Sequence, residues 1–244
     1  MTVLEALAVL AAGAVAGGVN TVVGSGSLIT FPTLLAVGYA PVTANVTNCV
    51  GLVPGGVAGS FGYRRELRGQ WRRCALLAVG TTFGALLGGI LLLELPDAVF
   101  DAIVPALILL AVALMALRPS PKRHEGASNN PAAVASSFGV GIYGGYFGAA
   151  QGIILVSLLR LTIAENLQVL NAIKNVLAGV ANAVAGLLFI VVADVEWGAA
   201  ALIAVGSVAG SLVAARYGRR IPPEILRRVV IVYGTIVAIV LIFT

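Results

Sequence analysis

The sequence has little charge and few of the side chains that metal or redox chemistry needs. Charged residues make up 10% of its 244 residues, and there are one histidine and two cysteines; a soluble domain averages about 25% charged residues. His124 lies in a polar segment, and Cys49 and Cys74 lie in or beside apolar stretches, which indicates neither a disulfide framework nor a metal site. Ser25 and Ser27 have no evident catalytic base. The sequence therefore predicts no enzyme, no metal and no cofactor.

Apolar residues dominate what is present. Hydrophobic residues account for 59% of the chain, in runs near or above the ~18 residues that mark a membrane-spanning helix. The net charge of +5 could suggest a nucleic-acid partner. However, the basic residues form short clusters between apolar runs without interleaved aromatic residues. We interpret them instead as the cytoplasmic charges of a membrane protein, with no nucleic acid as partner.

The two halves of the chain resemble each other when one is shifted by 126 residues without a gap. Matched Trp, Pro and Asn residues in constant register are harder to obtain by chance than matched Gly or Leu. The pairs include Gly13 with Gly139, Gly18 with Gly144, Gly26 with Gly152, Asn45 with Asn171, Trp71 with Trp197 and Pro96 with Pro222. The sequence therefore predicts an internal duplication.

Charge predicts that the halves are inverted. Segment 63–73 carries five arginines, which places it in the cytoplasm, whereas its partner 189–199 has no Lys or Arg and carries two acidic residues. The connection around residues 94–101 is acidic, and its partner holds five arginines between residues 216 and 228. Equivalent connections are thus expected on opposite sides of the membrane, with both chain termini outside.

Inversion requires an odd number of crossings in each half. We expect an all-α integral membrane protein of two inverted repeats, each of about five apolar segments with one short or broken helix. The first repeat is residues 1–117, a polar cytoplasmic linker is 118–130, and the second repeat is 131–244. The segments lie near 3–22, 26–38, 42–61, 74–93, 97–117, 131–149, 152–164, 167–192, 198–215 and 223–243. An alternative has three crossings in each half, with the first two segments forming a re-entrant pair.

Glycine-interrupted short segments at matching positions point to a transport site at the membrane midplane. The first such point comprises Gly24, Ser25, Gly26 and Ser27, and its counterpart includes Gln151 and Gly152. Glycine lets the chain leave helical geometry and expose N–H groups at the start of the next helix, where an anion is favoured. Alternatively, these glycines only permit close helix packing.

A second pair of polar motifs follows the short segments. Asn45 and Asn48 are spaced to share one helix face, as are Asn171 and Lys174, with Asn175 adjacent. Lys174 lies about eight residues inside an apolar span, where a charge is costly and usually functional. Either it contacts the substrate, or its stem carries the charge to the cytoplasmic interface. If transport is proton-coupled, Lys174 is the group expected to titrate.

Several of these motifs resemble one known family. The runs GSGSLITFPTLLAVG, TANVTN and VPGGVAGSFGYRRE, with the second copy GIYGGYFGAAQGIILVSLL, are similar to the TauE/SafE family of membrane proteins. The resemblance covers nearly the whole chain and implies export of sulfite or small organosulfonates. The second glycine turn departs from the family pattern at Ala150 and Gln151, which affects the expected substrate more than the fold.

The residues predict a multi-pass transporter of the inner (plasma) membrane that works by alternating access between the repeats, and the resemblance implies that it exports a small sulfur-containing anion. Its expected partners are the small anionic substrate and the lipid bilayer, and a homodimer is left open. The alternatives are a permease for another small anion or a neutral solute, and a membrane scaffold or accessory subunit that transports nothing.

Overall fold

The described part of the chain is built from helices. The computed structural model describes residues 1–117 and 131–217 together with positions 228, 231, 232, 235 and 236. These residues include nine helices, which are α1 (Val3–Val22), α2 (Ser27–Ala36), α3 (Pro41–Gly62), α4 (Trp71–Glu94), α5 (Asp97–Leu117), α6 (Pro131–Tyr146), α7 (Gln151–Thr162), α8 (Leu167–Val192) and α9 (Trp197–Tyr217).

The helices follow the predicted apolar segments closely. The largest differences are at α4, which begins three residues early, and at α6, which ends three residues early. The predicted linker 118–130 lies outside the described residues. So does most of the predicted segment 223–243, although each of its five described positions is helical. The division of the chain into two repeats stays a prediction.

The helices suit a lipid environment. Helices α1, α4, α8 and α9 are each long and apolar enough to cross a membrane. In contrast, α2 has 10 residues and α7 has 12, so they are about 15 and 18 Å long against a hydrocarbon core of about 30 Å. The protein is an all-α membrane protein in which two apolar helices cover only about half the depth of the bilayer.

Helices from the two halves pack against each other reciprocally. α1 packs against α9, and α6, its counterpart, packs against α4. Glycines make these contacts close: a Cβ on Gly84 of α4 would strike the Phe138 carbonyl oxygen of α6, and one on Gly210 of α9 would strike the Ala14 carbonyl oxygen of α1. Small residues permit this approach of two backbones in membranes. Helices α3 and α8 pack against each other between these pairs.

The spacing between the halves changes along the chain. α1 and α6 end at Val22 and Tyr146, and α2 and α7 begin at Ser27 and Gln151, so each of these pairs is 124 positions apart. The ends of α2 and α7, the starts of α3 and α8, and the starts of α4 and α9 are each 126 positions apart, whereas the ends of α3 and α8 are 130 apart. The helix boundaries at the first turns therefore differ by two residues from the gap-free register, because α7 is two residues longer than α2.

Charged residues separate to the two ends of α3. Near its start, Asp97, Asp101 and Asp194 line a cavity of about 270 Å³. Burial and the carboxylates of Glu196 and Glu5 raise the pKa of Tyr39, which precedes α3. Beyond the other end of α3, Arg65, Glu66 and Arg68 line a depression with residues 166–169. This separation agrees with the two sides that the charge pattern predicts.

Candidate functional site

The turns that precede the two short helices have the same backbone geometry at their first glycine. Gly24 has φ +92° and donates its N–H to the Val19 carbonyl oxygen at 3.0 Å, and Gly148 has φ +76° and donates to the Tyr143 carbonyl oxygen at 3.0 Å. This pattern ends a helix through a left-handed residue, which glycine adopts without steric cost. Each long helix therefore stops at a glycine, and a short helix starts three residues later.

The two turns touch each other through their backbones. Gly152 donates its N–H to the Gly24 carbonyl oxygen at 3.0 Å. A Cβ on Gly152 would lie 2.5 Å from the Gly24 Cα, and a Cβ on Gly24 would lie 2.6 Å from the Gly152 Cα. Only glycine fits at these two positions, because each turn packs directly against the backbone of the other.

The residues beside this contact carry buried hydrogen-bond donors. Among the described residues, none accepts a hydrogen bond from the backbone N–H groups of Ser25, Gly26, Ser27, Ala149 or Ala150. All five residues are buried, and Ala149 and Ala150 are fully so. Buried N–H groups without an acceptor are rare in folded proteins. These donors are therefore available to a ligand that offers several acceptor atoms.

Two polar side chains add to these donors. Ser25 is 1% exposed and Gln151 is 4% exposed, and neither the Ser25 Oγ nor the Gln151 Nε2 has a hydrogen-bond partner in the described part of the chain. The Gln151 amide packs against Gly144, where a Cβ would collide with it. A hydroxyl and an amide N–H both donate to anionic oxygens. Both therefore match the chemistry of the neighbouring N–H groups.

A polar network fixes the first short helix to α3. Thr30 donates its hydroxyl to the Asn48 Oδ1, and the Asn48 Nδ2 donates to the Ser27 Oγ at 3.2 Å. One turn earlier, the Asn45 Nδ2 donates to the Tyr146 carbonyl oxygen at the end of α6, 2.9 Å away. Asn45 therefore links α3 to the opposite half of the chain.

The second half has the lysine Lys174 where the first half has the amide of Asn48. The Lys174 Nζ donates to the Asn20 and Thr21 carbonyl oxygens at 2.8 and 3.1 Å, at the end of α1. Asn171 and Asn175 donate their side-chain amides to the same Thr21 oxygen at 3.2 and 3.3 Å. Lys174 is fully buried, so the interpretation that its stem reaches the interface is wrong. Its ammonium interacts with the carbonyl end of α1.

Aromatic rings hold α2 against the second turn. Phe31 of α2 packs edge-on against Phe147, with ring centroids 5.2 Å apart, and against Phe100 of α5 at 6.5 Å. Edge-to-face pairs of this kind favour one relative orientation. The short helix is therefore fixed by rings on one part of its surface and by the Asn48 network on another.

The structure brings the eleven predicted site residues into one region around the two turns. Six of them form or flank the contact between the turns, namely Gly24, Ser25, Gly26, Ser27, Gln151 and Gly152. The other five attach α3 and α8 to this contact, namely Asn45, Asn48, Asn171, Lys174 and Asn175. Sequence reasoning missed Thr30 and the carbonyl groups of residues 20, 21 and 146. Thr30 follows Ser27 at helical spacing, which was an available signal, but a backbone carbonyl leaves no mark in a sequence.

The described residues offer no group of three or more His, Cys, Asp or Glu side chains that could hold a metal ion. Half-length helices that meet at glycine turns between the two halves of a membrane protein are features of secondary transporters. The class that the fold and the site define is a membrane transport protein.

The chain belongs to the TauE/SafE family. The family profile described as "Sulfite exporter TauE/SafE" matches residues 9–241. A "Probable membrane transporter protein" of Haemophilus influenzae is 27% identical over 87% of this chain and 85% of its own length. The "Probable membrane transporter protein YfcA" of Escherichia coli K12 is 25% identical over 93% and 86%. No solved structure matches. The protein is thus a membrane transporter and not an enzyme.

Proposed function

We propose that this chain is a secondary transporter that exports a small sulfur-containing anion, such as sulfite or an organosulfonate. In this proposal the anion binds at the two glycine turns, and the two halves alternate its access to the two sides of the membrane. The observation that carries the proposal is the set of buried donors without acceptors at residues 25–27 and 149–150. The description of the family as sulfite exporters supports the choice of anion.

The charges around the turns favour an anion over a neutral solute or a cation. The turns lie at the N-terminal ends of α2 and α7, where the helix dipole amounts to about half a positive charge. Lys174 adds a cationic side chain, and its Cδ would lie 2.8 Å from a Cβ on Gly152. The described Asp and Glu residues lie within five residues of a helix end or in connections.

The number of donors favours an oxyanion over chloride. Five backbone N–H groups, the Ser25 hydroxyl and the Gln151 amide are spread over two turns. The three oxygens of sulfite or of a sulfonate group can each accept more than one hydrogen bond in different directions, and hydrogen bonds to a charged acceptor contribute about 1.5–3 kcal/mol each. Chloride is a single atom and would accept fewer of these hydrogen bonds at their preferred geometry.

The inverted orientation of the halves is part of the proposal. The reciprocal packing of α1 on α9 and α6 on α4 supports it, as does the position of three aspartates at one end of α3 and of two arginines beyond the other end. Trp71 and Trp197 begin α4 and α9 and are each 59% exposed. Such Trp residues anchor helices at membrane interfaces. We accordingly propose that both termini lie on the non-cytoplasmic side of the inner membrane.

The proposal is tested by the thermal stability of the purified protein with sulfite, sulfoacetate, thiosulfate and chloride, at constant ionic strength. We expect a saturable rise of Tm with one sulfur oxyanion, and about tenfold weaker binding in Ser25→Ala because one charge-assisted hydrogen bond is lost. Without ligand, Ser25→Ala should be at least as stable as the parent, since the lost hydroxyl has no partner.

Ser60→Ala is the matched control for this variant. The Ser60 hydroxyl donates to the Gly56 carbonyl oxygen within α3, so its loss should leave the affinity for the anion unchanged. Equal stabilisation by all four anions, or an affinity that does not change in Ser25→Ala, would count against the proposed site.

A further inference from the structure

The buried ammonium of Lys174 lies where a free cation would be stable. The Asn20 and Thr21 carbonyl oxygens that it contacts belong to the last turn of α1. The last four carbonyls of a helix lack partners inside the helix and carry about half a negative charge in total. Asn171 and Asn175 donate their side-chain N–H groups to the same Thr21 carbonyl oxygen and hold it beside the ammonium.

This arrangement differs from an ordinary buried ion pair. Among the described residues, no carboxylate makes an ion pair with Lys174, and the only described salt bridge joins Arg73 to Glu165. Backbone carbonyls and helix C-terminal ends near the midplane are the groups with which secondary transporters coordinate a coupling sodium ion or proton. The ammonium of Lys174 therefore has the surroundings of a transported cation, although it is attached to the chain.

We propose that Lys174 is a built-in replacement for a coupling cation: its ammonium occupies a monovalent-cation site at the end of α1, so transport requires neither sodium nor potassium. The inference rests on the proposed function, because the charge that the ammonium balances is that of the bound anion. It also gives Lys174 a positioning role: the ammonium holds the end of α1 next to the glycine turn, and the turn donates to the anion.

The first half of the chain has the neutral Asn48 at the position that corresponds to Lys174. Asn48 stands 126 positions before Lys174 and bonds locally to Ser27 and Thr30 of α2. At the 124-residue spacing of the turns, the α7 counterparts of Ser27 and Thr30 are Gln151 and Ile154, and among the described residues neither bonds to Lys174. Lys174 thus has no such local partner and extends to α1, whereas the end of α6 receives the neutral amide of Asn45. Only the second half of the chain therefore contributes a cation, Lys174, to this otherwise similar pair of turns.

The test compares two variants that remove the charge. Lys174→Ala opens a space that n-propylammonium can fill, since that ion reproduces the side chain beyond Cβ. Lys174→Met removes the charge but keeps most of the space filled. Without anion, we expect Tm of both variants to fall by about 4 °C or more. Millimolar n-propylammonium should restore Tm of Lys174→Ala, whereas 1-propanol should not, and Lys174→Met should respond to neither.

Asn48→Ala provides the matched position in the first half. Its Tm should also fall, because the Ser27 hydroxyl loses its Asn48 partner and the Thr30 hydroxyl keeps only its longer bond to the Gly26 carbonyl oxygen, but n-propylammonium should not restore it. A lack of response to n-propylammonium in folded Lys174→Ala, or an equal response to 1-propanol, would overturn the cation site.

The parent protein supplies a test that needs no variant to fold. Anion flux through the parent should stay the same when sodium and potassium are replaced by choline on both sides, and a loss of flux in choline would overturn the inference.

The outcomes also separate the two proposals. Restoration of Lys174→Ala by the amine without any anion flux in the parent would refute the proposed function alone. Flux in the parent without restoration would refute the cation site alone.

Discussion

At the scale of single residues, the glycines of the turns and those of the helices differ in what surrounds them. Gly152 faces the Gly24 backbone so closely that a Cβ has no room, whereas a Cβ on Gly139, in the neighbouring α6, would meet nothing within 4 Å. Two glycines in adjacent elements therefore have opposite tolerance for a methyl group, although the sequence does not distinguish them.

This difference predicts opposite effects of one substitution. Gly152→Ala should lower stability by about 1–3 kcal/mol through overpacking and should weaken anion binding, because the turns must separate. Gly139→Ala should be neutral or stabilise by up to about 1 kcal/mol, because alanine favours the helix. Denaturation of the two variants in detergent, with and without anion, checks this. Equal destabilisation of both would contradict the described contact between the turns.

The sequence predicted the residues of the site better than their partners. Polar side chains inside apolar segments are costly unless they are paired or functional, and this singled out Lys174, Asn48 and Gln151. It could not tell that Lys174 would reach the carbonyl groups of α1, because that contact depends on how two distant helices pack. For the same reason, the sequence leaves snorkelling of Lys174 as an alternative, which its full burial excludes.

At the scale of elements, the short helices determine where the donors lie. Residues 26–38 and 152–164 were predicted as short segments of equal length, whereas α2 is Ser27–Ala36 and α7 is Gln151–Thr162. The difference escaped the sequence comparison because Gly26 and Gly152 match at a spacing of 126. The structure instead makes Gly24 and Gly148 equivalent, through their left-handed backbones.

The first turn of α4 and the connection that precedes α8 are joined by an ion pair. Arg73 contacts the Glu165 carboxylate at 2.9 Å, and the Gln70 amide donates to the same oxygen at 3.0 Å. Both charged side chains are largely buried, at 16% and 26% exposed. This contact links the two halves on the side where the basic residues gather.

A double-mutant cycle measures the strength of this link. Arg73→Met and Glu165→Gln should each destabilise the protein, and the coupling energy between them should be about 1 kcal/mol, since the pair is only partly screened from water. Arg64→Met with Glu165→Gln is the control pair, because Arg64 instead stacks on Phe61. A coupling energy near zero for Arg73 and Glu165 would show that the ion pair does not hold these two segments together.

At the scale of the whole molecule, composition and hydropathy were enough to predict a helical membrane protein. They could not predict that α1 would pack against α9 and α6 against α4, because that pairing depends on glycines meeting the carbonyl groups of a distant helix. The sidedness of the chain rests on charge, and the structure adds that three aspartates line one end of α3, whereas the arginines, together with Glu66, lie beyond the other end.

Cysteine labelling tests this sidedness. The native Cys49 and Cys74 are 7% and 3% exposed, so they should react slowly. In intact cells, a membrane-impermeant maleimide should label Asp194→Cys and leave Arg68→Cys unlabelled, and permeabilisation should expose Arg68→Cys. Both positions are exposed on the protein. Labelling of Arg68→Cys in intact cells would reverse the proposed orientation.

Flux through liposomes that contain only the purified protein tests the central claim most directly. We predict that an outward gradient drives saturable efflux of sulfite or a small organosulfonate, that chloride and uncharged analogues do not compete, and that Gly152→Ala abolishes the flux whereas Gly139→Ala preserves it. Equal flux of a neutral solute would contradict an anion site at the two turns. The absence of flux for every sulfur anion would contradict the proposed transport of such anions and favour a different substrate or an accessory role.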